Sequence, residues 1–132
     1  MKWGVCMTIQ NLIHYCKCKP GAVIEHPFGD EVVVFKIGNK MFSLITHRDH
    51  KLSVNLKCDP ELALEMRLKF PAVTEGYHMN KKHWNNVAID GSIPNQEIYK
   101  MIDFSYDLVY SKLKKIEREY LIKVFENRHS YE

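Results

Sequence analysis

With 132 residues the chain has room for a core of its own and is expected to be a single domain over 1–132, which leaves no space for a second. An apolar share of 45%, with aromatic residues at 11% of the chain, excludes a disordered chain. Nineteen Lys and Arg against sixteen Asp and Glu leave a net charge of only +3, mild beside dedicated nucleic-acid binders, so any basic surface has to arise by local clustering.

Taken in chain order, Thr8 precedes Ile9, Leu12, Ile13 and Cys16 at helical spacing, and Pro20 with Gly21 stops the pattern, so a helix is expected over 8–18. Residues 31–36 are rich in β-branched side chains, Gly38 and Asn39 form a turn pair, and an apolar run resumes over 40–46. That is a hairpin. After a polar turn at His47–His50, Leu52, Val54 and Leu56 alternate with Ser53, Asn55 and Lys57, which predicts a third strand with one wet face. At Asp59 and Pro60 the period changes to helical, with Asp59 as N-cap and Leu62, Leu64, Met66 and Leu68 inside a helix over 60–69. Two short strands follow over 73–77 and 86–89. Pro94 then opens a long helix to about 113, which continues or restarts over 114–125.

The expected fold is therefore α+β: a two-layer domain with an antiparallel sheet, helices packed on one face, and the order α-β3-α-β2-α. No apolar run approaches the length of a membrane span and the start has no apolar leader, so the chain is expected to be cytoplasmic with no membrane partner. Cys6, Cys16, Cys18 and Cys58 lack paired-ligand spacing. Reduced thiols with no disulfide framework and no metal are expected, since His14 and Cys16, two apart on a helix, point in roughly opposite directions.

Residues 76–89 hold no acidic side chain while Tyr77, His78, Asn80, Lys81, Lys82, His83, Trp84, Asn85 and Asn86 crowd together. Lys can neutralise phosphate, Asn can bond base edges, and aromatic rings can stack on bases. Trp84 is equally readable as a core ring. Arg48 and Lys51, in the turn before the third strand, are a candidate wing that reaches a DNA groove beside this loop. No nucleophile elbow, phosphate loop or His-Glu-x-x-His sequence is present, so no enzyme, no catalytic residue and no cofactor is expected.

Several ordered strings resemble the MmcQ/YjbR family of small bacterial proteins: 18–22, 34–36, 40–42, 53–61, 77–87, 90–94 and 103–106. The resemblance covers roughly 8–115, with a C-terminal helical extension to about 125. It implies a secretion-chaperone-like or CyaY-like sheet and a DNA-binding role that rests on structural analogy. The functional expectation is a non-enzymatic DNA-binding protein whose contacts are Arg48, Lys51, Asn80, Lys81, Lys82, His83, Trp84 and Asn85. Its rival is a protein-interaction or chaperone-like module, with a protein partner or a second copy on the exposed sheet face, where Phe28, Phe35 and Phe42 would matter most.

Overall fold

The structure, a computed structural model, describes residues 7–76 and 79–129. Its elements are α1 (Ile9–Lys17), β1 (Val23–Glu25), β2 (Val32–Ile37), β3 (Lys40–Arg48), β4 (Lys51–Lys57), α2 (Pro60–Lys69), β5 (Val73–Glu75), β6 (Trp84–Ala88), α3 (Asn95–Ser111) and α4 (Lys115–His129). The six strands form one antiparallel sheet in the order β1-β2-β3-β4-β6-β5. The α+β expectation holds, with two additions to the expected order. β1 is only three residues long, too short to leave a periodic signal, and the last helical stretch is two helices. They part where Leu113 turns into the core and Arg118 Nη1 donates to the carbonyls of Ser111 and Leu113.

Local chemistry explains most boundaries. Thr8 and Asn11 form a reciprocal capping box at the start of α1. Gly38 and Asn39 join β2 to β3 with φ of 55° and 64°, and Asp49 and His50 join β3 to β4 with φ of 53° and 62°. Paired positive φ values give the tight hairpin turn whose twist matches its strands, and Gly, Asn and Asp tolerate them best. Gly38 is also needed for space, because a Cβ there would lie 2.7 Å from Leu113 Cδ2. Asp59 stands at the N-cap position of α2, but its side chain makes no capping bond. Leu64 and Leu68 of that helix face solvent and only Ala63 is buried, because apolar residues two apart on a helix cannot share a face.

Directly paired residues of an antiparallel sheet share a face, so the register assigns the two sides. Val33, Ile45, Val54 and Val87 line one side and enter the core together with Leu12 and Cys16 of α1 and Ile98, Ile102 and Val109 of α3. Asn85, on this same side, donates to the Ala63 carbonyl of α2. The opposite side carries Leu44, Asn55, Asn86 and Thr74 in one row. A β-bulge between Phe35 and Lys36 puts both Phe42 and Ser43 on the helix side, fully buried. Phe35 and Phe42 therefore belong to the core and not, as the interaction reading expected, to the exposed sheet face. Among the three phenylalanines only Phe28, 67% exposed, is accessible. Among the described residues no helix is long and apolar enough to cross a membrane.

The bulge leaves backbone groups that α3 satisfies. Ser105 Oγ, fully buried, donates to the Phe42 carbonyl at 2.6 Å and accepts from the Lys57 N–H at 2.9 Å. Tyr106 packs edge-on against Phe42, ring centroids 5.3 Å apart, and its hydroxyl donates to the Pro20 carbonyl. Ser105→Ala would strip two buried backbone groups of their partner. Urea denaturation is expected to show a loss of about 1–3 kcal/mol with an unchanged slope.

Candidate nucleic-acid interface

The register decides how the predicted contact residues are grouped. β4 runs from Lys51, at the β3–β4 turn, to Lys57, which pairs with Trp84 at the start of β6. Six residue steps of extended chain separate the two ends by about 20 Å. Arg48 and Lys51 thus lie at one end of the sheet and the 79–83 loop at the other, so the expected wing does not sit beside the lysine loop. A turn that precedes β4 and a turn that precedes β6 are necessarily at opposite ends when β4 and β6 are antiparallel neighbours. Arg48 is moreover ion-paired with Glu31, Nε to Oε2 2.6 Å.

The loop itself is held by Arg67 of α2. Its Nε donates to Asn85 Oδ1 at 2.7 Å, its Nη2 donates to the Lys81 carbonyl, and its Nη1 lies 4.0 Å from Glu75. Asn85 is buried and spends its own amide on the Ala63 carbonyl, so it shapes the loop and is not free to read bases. Trp84 is only 9% exposed, which settles its ring as a wall of the fold and not a stacking platform. Asn80 accepts from the Lys82 N–H and closes the turn. His83 is half-buried, with its carbonyl taken by the Cys58 N–H at 2.7 Å. Lys81 and Lys82 are exposed, and Lys81 lies 3.7 Å from Glu75. Tyr77 and His78 lie outside the described residues.

What sequence reasoning missed stands next to this loop. Where β3 begins, β4 ends and α3 closes, Lys40, Lys57 and Lys112 surround a hollow of about 300 Å³ whose other walls include Met41, Trp84 and Leu113. None of the three lysines makes an ion pair among the described residues. The Lys57 ammonium is held below its ordinary pKa by burial first, then by repulsion from Lys112 and Lys40. Each lysine reads singly as a solvated residue. Only the wet-face alternation of β4 hinted that Lys57 had a place on a surface, and nothing in the spacing linked it to residues 17 and 55 positions away.

The thiols are placed differently. Cys16 points into the core, with Sγ 3.5 Å from Ser43 Oγ, and burial pushes its pKa up to about 11; Cys58 is raised likewise to about 11, by burial and then by Asp59. Cys18 lies one turn from His14, Sγ to Nε2 3.7 Å. Among the described residues no three His, Cys, Asp or Glu side chains are grouped to hold a metal ion.

The sequence model of the YjbR family matches residues 18–108. The chain belongs to the YjbR family. A curated relative from Escherichia coli strain K12, named uncharacterized protein YjbR, is 33% identical over 118 residues, 89% of this chain and 100% of its own. The uncharacterized protein YbdF of Escherichia coli O157:H7 is 39% identical over 93 residues, 70% of this chain and 76% of its own. Among solved structures, the Deinococcus radiodurans protein DR2400, of domain DUF419, superposes with a TM-score of 0.81 at 36% identity, covering 88% of both chains. A Pseudomonas syringae protein superposes at 0.70 with 28% identity, over 78% of this chain and 99% of its own.

Two outcomes follow from the geometry. Arg67→Ala is expected to cost at least about 1.5–3 kcal/mol in denaturant unfolding, with Arg67→Lys recovering little, because a point charge cannot reproduce the forked donors. Lys57→Gln should raise the melting temperature at neutral pH. A lowered lysine pKa means that folding opposes the charged form; the penalty is complete below the lowered pKa and fades as pH rises to the ordinary 10.5, so the gain of the variant shrinks over that interval.

Proposed function

We propose that this chain is a non-enzymatic nucleic-acid-binding protein, with DNA as its expected ligand, and that it takes the phosphate backbone at the end of the sheet where Lys40, Lys57 and Lys112 converge. The observation that carries this reading is that convergence. Three ammonium groups line one hollow with no carboxylate paired to them among the described residues, and a polyanion is the ligand whose charge offsets their repulsion. Lys82, with Lys81, Asn80 and His83, extends the contact along the neighbouring loop, whose shape Arg67 and Asn85 hold. Arg48 and Lys51 would meet the same phosphate backbone about 20 Å further along.

Other features agree with binding without catalysis. Cys16 and Cys58 are buried thiols held protonated, which makes them poor nucleophiles. Reduced thiols fit a cytoplasmic setting. The one-sided cover of α1, α2 and α3 on the sheet supports the CyaY-like, secretion-chaperone-like comparison. The second reading, an interaction module on the uncovered sheet face, is favoured by the exposed Phe28 beside that face.

Fluorescence anisotropy against labelled DNA at several salt concentrations tests the proposal. The combined Lys40→Ala, Lys57→Ala and Lys112→Ala variant is expected to reduce the log–log salt slope by about 2.7 on duplex, three phosphate contacts at about 0.9 each. Lys81→Ala with Lys82→Ala should lower it by about 1.8 or less, since Lys81 already shares Glu75. Absence of binding by the wild-type protein at low salt would sink the reading and leave the interaction module ahead.

A further inference from the structure

The uncovered face of the sheet carries a second hollow, also of about 300 Å³, walled by Phe28, Met41, Leu44, Thr46, Asn55 and Met79. Asn55 stands in its floor. It is 4% exposed, and its Nδ2 donates to Asn86 Oδ1 at 3.2 Å, but among the described residues its Oδ1 has no hydrogen-bond partner. A buried acceptor without a donor is costly and uncommon in a folded protein, so this oxygen points to a donor that a ligand brings. Met41 lines both this hollow and the lysine hollow, so the two are neighbours across that side chain. Asn55 and Lys57 lie two residues apart on the same face of β4, about 7 Å along the strand.

An anionic subsite, a neighbouring slot with thioether and aromatic walls, and a lone acceptor at its floor match the parts of one nucleotide in their order: phosphate, a flat ring, and an N–H at the ring's edge. We propose that the uncovered sheet face seats a single unpaired base, its phosphate on Lys40, Lys57 and Lys112, its ring against Met41, Leu44 and Phe28, and an edge N–H donated to Asn55 Oδ1. This rests on the nucleic-acid reading above and adds to it that single-stranded ligand is the preferred form. All four bases carry an N–H donor on the edge that pairing occupies, and a base within a duplex cannot lay its ring on a sheet surface.

The test needs no variant to begin with. Anisotropy titrations of the full chain would compare a mixed-sequence single strand, a strand of equal length made wholly of abasic sugar phosphates, and the corresponding duplex, at one salt concentration. The intact strand is expected to bind at least about fivefold more tightly than the abasic one, the factor equivalent to about 1 kcal/mol of base contact. Asn55→Ala and, as a check against a folding defect, Phe28→Ala at an exposed position of the slot should each narrow that ratio while leaving the affinity for the abasic strand unchanged. Equal affinity for intact and abasic strands would overturn the base seat and leave phosphate binding standing. Loss of binding to all three ligands would overturn both. A dimer in sedimentation that the intact strand fails to dissociate, with Phe28→Ser making it monomeric, would assign the face to a second copy instead.

Discussion

The fully buried hydroxyl of Ser105 joins α3 to the sheet where the ladder between β2 and β3 is irregular. The bulge in β3 is what lets Phe42 and Ser43 both enter the core, and a bulge leaves main-chain groups without their ladder partners. Ser105 supplies the missing partners for Phe42 and Lys57 simultaneously. That bond sets the height of α3 over the sheet, and with it the position of Lys112 at the helix end relative to Lys57 at the strand end. Packing of the core and placement of charge are thus two consequences of one contact.

One-sided cover of the sheet divides the molecule into a part that stabilises and a part that is free to bind. On the helix side nearly every strand residue is apolar and enclosed, with Ser43 and Asn85 as polar members; Ser43 contacts Cys16 and Asn85 is bonded to Arg67 and Ala63. On the uncovered side, Asn55, Asn86 and Thr74 cross three strands, and one of their polar atoms is left without a partner among the described residues. Such an arrangement costs stability in the isolated protein, a cost the proposed ligand would offset. The repulsion among Lys40, Lys57 and Lys112 is a cost of the same kind at the adjoining end of the sheet.

The relatives narrow the fold and leave function open. Agreement with solved structures at TM-scores of 0.81 and 0.70 spans 88% and 78% of this chain. Function has to be argued from the side chains the sheet presents. In this chain they are lysines at one end, an ion-paired arginine at the other, and between them a slot whose one acceptor is unpaired among the described residues.

By itself the sequence determined every element type except the three-residue β1, because local rules govern them. Gly38-Asn39 and Asp49-His50 take positive φ cheaply, Thr8 and Asn11 cap a helix, and the shift from alternating to helical spacing at Pro60 and after Pro94 marks where strands give way to helices. The lysine loop was legible for the same reason: its residues are neighbours in the chain. Only the tertiary structure decided which charges act together. Antiparallel register moved Arg48 and Lys51 about 20 Å from that loop, gave Asn85 to Arg67, enclosed Trp84, and drew Lys40 and Lys112 to Lys57. Spacing along the chain carries information about i, i+2 and i+4 neighbours. Strand pairing and helix docking set the rest, since they depend on which long-range contacts bury the most apolar surface.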